Sequence, residues 1–212
     1  MVLNISNIKL YRITHKDNLD DILTKGMLCS PNHKHANPNF KQIGDISLIQ
    51  TRSNRAIPIK PYGCFKDYVS FYFCNKSPML YEIQNGFKVT MVKPQDIIYF
   101  VTTIRRTKEE GCNYIFTDGH AAAISSQFFN VDEDLKNIDW NVINGQYWFD
   151  TAEDPDRKRR KQAEFLVYLQ VPLSTIIGIG VFNNNIKNDV EALLQSYNIN
   201  KIIVKVKEDY YY

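Results

Sequence analysis

Cysteine is scarce in this 212-residue chain: Cys29, Cys64, Cys74 and Cys112 stand far apart, with no Cys-x-x-Cys pair and no histidine at zinc-ligand spacing. That argues against a disulfide framework and a structural zinc site, and the scatter fits reduced, packed thiols in a cytoplasm. Glycine is thin as well, nine residues in all. None of them builds a Gly-rich phosphate loop or a Gly-x-Gly-x-x-Gly turn. His-Glu-x-x-His, Gly-x-Ser-x-Gly and paired carboxylates at two-metal spacing are missing too. Kinases, serine hydrolases and metal-dependent nucleases therefore lose their usual signatures, and no metal is expected. The chain opens without a charged-then-apolar leader and holds no apolar run near the ~20 residues that cross a bilayer. A cytoplasmic location and no membrane partner are the expectation. Neither sign of charge dominates: 26 Lys and Arg face 23 Asp and Glu, a net of +3.

What the chain has in plenty is aromatic side chains, 13% of the residues, with 13 Tyr and 12 Phe. Tyrosine surfaces suit stacking and interface work, which adds weight to a binding role. With 44% hydrophobic residues, residues 1–212 suffice for a single domain with a substantial core. Leu10–His15 alternates as a strand. Asp17–Lys25 follows as a helix, with acids in its first turn and Gly26 as a left-handed stop. Residues 31–63, punctuated by proline and glycine, show no period and read as a long functional loop. Asp67–Phe73 is a strand, and Ser77-Pro78 caps and opens a helix. Ile97–Val101 and Asn113–Thr117 are further strands. Thr117–His120 reads as a turn into a small helix at Ala121–Ala123. After a second polar connection over 130–162 come a strand from Glu164, a strand Ile176–Val181, a helix Asn188–Tyr197 and a strand Lys201–Lys207. Most connections are too short for βαβ crossovers, so the class is α+β with a mainly antiparallel sheet.

One stretch points to chemistry. Arg157-Lys158-Arg159-Arg160-Lys161 runs into Gln162-Ala163-Glu164, and Glu164 opens an alternating strand. By default Glu164 is a solvated charge paired with Arg160 or Lys161. Against that, Leu166 and Tyr168 continue its face while Phe165, Val167 and Leu169 make the other apolar. A partly buried carboxylate needs a role or a partner. The cations are by default a solvated turn. Beside Trp148 and Phe149, however, Arg157, Arg159 and Arg160 also match the pairing of cations with stacking platforms that grips single-stranded nucleic acid. Arg52 and Arg55, in the proline-rich loop, are either surface charges or a pyrophosphate clamp. His15, at a strand end, and His120, after Thr-Asp-Gly, are either capping histidines or ligand contacts.

Several ordered blocks resemble the DarT family, bacterial toxins that ADP-ribosylate DNA bases. They are Tyr11-Arg12-Ile13-Thr14-His15 with Asp17-Asn18-Leu19, Asp67-Tyr68-Val69-Ser70-Phe71-Tyr72-Phe73 with Ser77-Pro78-Met79-Leu80-Tyr81, Thr117-Asp118-Gly119-His120-Ala121, and Arg159-Arg160-Lys161-Gln162-Ala163-Glu164-Phe165-Leu166-Val167. The resemblance implies an ADP-ribosyltransferase fold with a split antiparallel core. It implies transfer of ADP-ribose from NAD+ to a thymine or guanine of single-stranded DNA, and a macrodomain antitoxin, DarG, as partner. Glu164 matches the catalytic glutamate and Arg52 the catalytic arginine, with Arg55 the other candidate for that role. His15, Thr14, Asn18, Arg52 and Tyr72 would contact NAD+. His120, Arg55, Trp148 and the arginines of the basic run would contact DNA. Residues 31–55 would form the NAD-binding loop and 121–162 the substrate-recognition loop. An RNA or protein acceptor, or a silent nucleic-acid-binding module, are the alternatives.

Overall fold

The structure, a computed structural model, describes residues 8–212; the first residues of the chain, where a leader was sought, lie outside the described ones. In chain order the elements are β1 (Lys9–His15), α1 (Leu19–Lys25), β2 (Met27–Cys29), α2 (Ile46–Ser53), β3 (Tyr68–Tyr72), α3 (Pro78–Asn85), β4 (Ile97–Thr103), α4 (Ile104–Glu109), β5 (Tyr114–His120), β6 (Phe128–Phe129), α5 (Trp140–Asn144), α6 (Arg157–Lys161), β7 (Ala163–Tyr168), β8 (Gln170–Pro172), β9 (Gly178–Val181), α7 (Asn184–Ser196) and β10 (Ile203–Val206). Eight strands make one sheet in the order β10-β9-β4-β1-β3-β7-β5-β6, and β2 pairs with β8 apart from it. All pairs are antiparallel except β9 and β10, which run parallel because α7 crosses between them. The expected α+β class holds, with that one βαβ unit added.

Alternation along the strands decides which side chain meets which layer. Phe165 and Val167 of β7 join Phe71, Phe100 and Phe116 in the main core under α1 and α7. Leu166, one residue out of phase, faces the opposite side with Tyr68, Ile115 and Phe65. A separate cluster on that second side gathers Ile97 and Tyr99 under Leu80 and Ile83 of α3. Burying each such side chain contributes roughly 1.5–3 kcal/mol, so both faces are held firmly while the space between the two smaller clusters stays open. At the centre the sheet splits: β1 pairs with β4 along its whole length but meets β3 only where Tyr11 lies opposite Tyr72.

Local chemistry explains the helix ends. Gly26 takes φ +68° and closes α1 in the left-handed region, and Ser77 accepts from the Leu80 N–H with Pro78 in the first turn of α3. Residues 31–63 are less irregular than expected. Asp45 accepts from the Leu48 N–H and starts the eight-residue α2. Nor is Thr117–His120 a turn into a helix. It finishes β5 as a bulged strand, with Phe116 opposite Phe165 but His120 opposite Ala163, and the small residues after it form a turn. The basic run is not an open loop end but α6. Among the described residues no helix is long and apolar enough to cross a membrane.

Candidate active site

Register places the acid. Glu164 lies opposite Tyr72 across β3–β7 and is fully buried. Such a carboxylate is tolerable only with its oxygens satisfied. The bulge in β5 supplies one partner: the chain turns so that the Ala121 N–H donates to Glu164 Oε1 at 3.0 Å, while the Thr117 Oγ1 accepts from the Glu164 backbone N–H (3.1 Å). Gly119 in the bulge has no room for a side chain, since an added Cβ would sit 2.2 Å from the Arg159 guanidinium.

From the other side Arg52, in the last turn of α2, directs Nη1 at both carboxylate oxygens, 3.2 and 3.3 Å away. Its guanidinium lies 5.5 Å from the centroid of Phe65, an aromatic face that attracts the cation. The Glu164 charge raises the Arg52 pKa against the opposing effect of burial. Arg55 does not share this position. It donates to the Ala122 carbonyl at 2.6 Å and ties α2 to the turn that presents the Ala121 N–H.

Arg52 lines a cleft of about 290 Å³, together with Arg12, Phe65, Tyr72, Met79, Glu82 and His120 among others, and Glu164 lies buried behind it. Arg12 escaped the sequence reading. Its guanidinium enters the split between β1 and β3, donates to the Ser70 carbonyl at 2.9 Å, and leaves Nε buried without a partner. Burial and the neighbouring Arg52 lower its pKa to about 10, so it remains a cation at neutral pH. An arginine between Leu10-Tyr11 and Ile13, in the apolar middle of β1, was the available signal. Burial together with the Glu164 charge pushes the Tyr72 phenol up.

The remaining expected contacts divide. His15 is buried, and its Nδ1 accepts from the Asp17 N–H at 3.1 Å, the capping arrangement. Thr14 accepts from Asn18 at 2.9 Å. Asn18 also donates to the Lys41 carbonyl (3.0 Å) and accepts from the Lys41 N–H (2.8 Å). It therefore staples the 31–55 segment to β1. Asn18→Ala is expected to cost about 1–3 kcal/mol, since buried backbone groups lose their partners. Urea unfolding measures that loss, and limited proteolysis should show faster cleavage near Lys41.

His120 borders the cleft, and burial lowers its pKa, the Glu164 charge opposing; burial also lowers that of His15, Asp17 opposing. The unfolded chain thus binds protons, from about pH 6.5 downward, that the folded chain refuses. Stability should hold above that pH and fall as the pH drops below it. Thermal unfolding between pH 8 and 5 checks this, and His120→Gln should flatten the slope.

The basic run was expected to lie open to DNA, and the structure pairs it instead. Arg159 donates to Asp156, Asp118 and Ser126. Arg160 meets Asp139 and Asp154, and Arg157 meets Asp154 at 3.0 Å. Lys161 is buried, its Nζ donating to the carbonyls of Val142, Ile143 and Gly145 at the end of α5. Trp148 is also buried, its Nε1 donating to the Tyr212 hydroxyl at 3.0 Å. Attraction to the neighbouring Asp154 and Asp156 and to the more distant Asp118 and Asp139 outweighs exposure, and the run becomes a knot that shapes the 121–162 segment.

A buried glutamate held by an arginine and a backbone N–H, on a split antiparallel sheet with a second arginine in the split, is the framework of an ADP-ribosyltransferase. The model of the family described as "ssDNA thymidine ADP-ribosyltransferase, DarT" matches residues 11–212. A DNA ADP-ribosyl transferase of Thermus sp. (strain 2.9) is 36% identical over 96% of this chain and 95% of its own. The structure of Thermus sp. 2.9 DarT in complex with ADP-ribosylated ssDNA superposes with TM-score 0.88 at 34% identity, over 97% of this chain and 96% of the other. The same protein in complex with NAD+ gives TM-score 0.82 at 31% identity, over 97% and 98%. A Thermosipho africanus DNA ADP-ribosyl transferase–DNA ADP-ribosyl glycohydrolase fusion is 28% identical over 90% of this chain, which spans 47% of the fusion. The chain belongs to the DarT family of single-stranded DNA ADP-ribosyltransferases.

Proposed function

We propose that the protein transfers ADP-ribose from NAD+ to thymidine in single-stranded DNA, releasing nicotinamide, and that Glu164 and Arg52 carry the reaction. The observation behind this is the Glu164–Arg52 pair, 3.2 Å apart, in which Arg52 lines the cleft and Glu164 is buried directly behind it. The family description supplies the thymidine. In the nucleoside, thymine keeps one ring N–H. That nitrogen becomes nucleophilic on losing its proton, which Glu164 accepts as general base. The bond from ribose C1′ to nicotinamide breaks, the bond to the thymine nitrogen forms, and nicotinamide leaves as the neutral molecule. The carboxylate also offsets positive charge developing at the ribose, while Arg52 offsets the negative charge spreading onto the base.

NAD+ fits the residues present. Arg12, with its unpartnered buried Nε, supplies positive charge for the pyrophosphate, and Tyr72 and His120 border the same space. Thr14, His15 and Asn18 act by holding residues 31–55, the NAD-binding loop, against β1. Residues 121–162 form the substrate-recognition loop. Within it Arg157, Arg159, Arg160 and Trp148 set the shape that DNA meets, and Arg55 holds the turn at Ala122. The fused glycohydrolase of the Thermosipho relative supports a toxin role with a DarG-like macrodomain antitoxin as partner. We place the protein in the cytoplasm, where NAD+ and DNA both occur.

Mass spectrometry of a mixed-sequence single-stranded oligonucleotide after incubation with protein and NAD+ tests the reading. A single ADP-ribose adduct on thymidine is expected. Adducts confined to RNA or protein would overturn it.

A further inference from the structure

We propose that the outer side of α3 carries a second base-binding subsite, an aromatic platform of Phe149, Phe87 and Tyr81 that stacks a nucleotide flanking the modified one. This rests on the reading of single-stranded DNA as substrate. Phe149 lies face to face on Trp148, with centroids 4.0 Å apart and planes at 22°, yet it is 54% exposed. Its ring is fixed by Trp148 while about half of the residue stays open to solvent.

The support is stiff. Trp148 is buried, hydrogen-bonded to Tyr212, and packed edge-on against Tyr81 at 5.5 Å. Tyr81 also meets Phe149 at 6.1 Å and Phe87 at 5.9 Å, and Phe87 is 53% exposed. Rings already locked lose little conformational freedom when a base arrives. A patch of this kind with no function would be an aggregation liability.

Charge and position choose the occupant. Lys158 Nζ sits 5.7 Å from the Trp148 ring and Lys76 Nζ 5.3 Å from the Tyr212 ring, and Lys88 follows Phe87 in sequence. Glu82 pairs with Lys158 Nζ at 3.2 Å and Asp150 accepts from the Lys158 N–H at 2.7 Å, so of these cations the ones without a carboxylate partner among the described residues are Lys76, at the Tyr212 ring, and Lys88, next to Phe87 in sequence. Aromatic faces rimmed by lysines match bases strung on phosphates. The platform neighbours the cleft in the chain: Glu82 follows Tyr81 in α3 and Val89 stands two residues after Phe87, and both line the cleft.

The test compares wild type with Phe149→Ala/Phe87→Ala, whose two side chains are exposed and removable without loss of core, a point checked by an unchanged melting temperature. Steady-state transfer to a thymidine-containing decamer should show KM for the oligonucleotide raised about tenfold, with kcat and the KM for NAD+ unchanged. Placing an abasic site at each flanking position in turn should find one that raises KM in wild type to the same degree and adds nothing in the double variant. Phe149→Leu, apolar without a π-face, should behave like the alanine change. An unchanged KM, or abasic penalties that persist in full in the variant, would overturn the platform. So would loss of a wild-type dimer in sedimentation with no change in KM, which would assign the patch to a second copy of the chain. If wild type modifies no oligonucleotide, the functional reading fails separately, and fluorescence anisotropy of the labelled decamer with both proteins still decides the platform.

Discussion

Glu164→Gln should leave the protein folded and slow ADP-ribose transfer by about 10²–10⁴-fold, the span a positioned general base contributes. The amide keeps an oxygen to accept from Ala121 N–H, now 3.0 Å from Oε1, and fills the same volume in a site with no exposure. What it loses is the charge and the ability to take the proton from thymine. Arg52, whose side chain is 19% exposed, hydrates into the cleft once its partner is neutral, so the stability cost should be small. Glu164→Ala is a poorer probe, because it also leaves a buried N–H unpaired at a cost of about 1–3 kcal/mol. Oligonucleotide modification followed by mass spectrometry, with thermal unfolding of the same sample, reads both quantities. A glutamine variant that modifies thymidine at the wild-type rate would remove Glu164 from the chemistry. One that is inactive and unfolded would leave the alanine turn, rather than the acid, as its main dependent.

The strands that carry this site were legible because their apolar side chains alternate and both faces are packed. β1, β3 and β7 announce themselves through Leu10, Val69, Phe71, Phe165 and Val167, all buried in one core. Helix α2 was not legible, because none of its residues is buried: it borders the cleft with Leu48, Ile49, Arg52 and Ser53 and lacks the apolar stripe that marks a core helix. The bulge after Phe116 was hidden for a different reason. It arises from the register between β5 and β7, a pairing between residues far apart in sequence. The basic run showed its charge but not its partners. Asp118 and Asp139, 41 and 21 residues away, reach Arg159 and Arg160 only after the chain has folded. Trp148 was chosen as a stacking residue by type, while the structure buries it and leaves Phe149 as the outward ring.

Arg52→Ala and Arg55→Ala should separate sharply, although the two arginines are three residues apart. Without Arg52 the fully buried Glu164 keeps only the Ala121 N–H, and an uncompensated charge in such a place costs about 3–5 kcal/mol. Transfer should also fall by about 10²–10³-fold, the usual loss when a positioned donor to developing charge is removed. Arg52→Lys tests geometry against charge. A point cation reaching from the last turn of α2 restores part of the stability, since one nitrogen, Nη1, meets both carboxylate oxygens, but not the guanidinium plane over the Phe65 face, so the rate should stay low. Arg55→Ala removes one bond, to the Ala122 carbonyl at 2.6 Å. It should cost about 1 kcal/mol and slow transfer about tenfold or less, through a looser Ala121 turn. Urea unfolding and single-turnover transfer on the four proteins give the comparison. If Arg55→Ala proved the more damaging in rate, the catalytic arginine would have to reach the site by a rearrangement of α2, and the 3.2 Å pair seen here would be a resting arrangement rather than the working one.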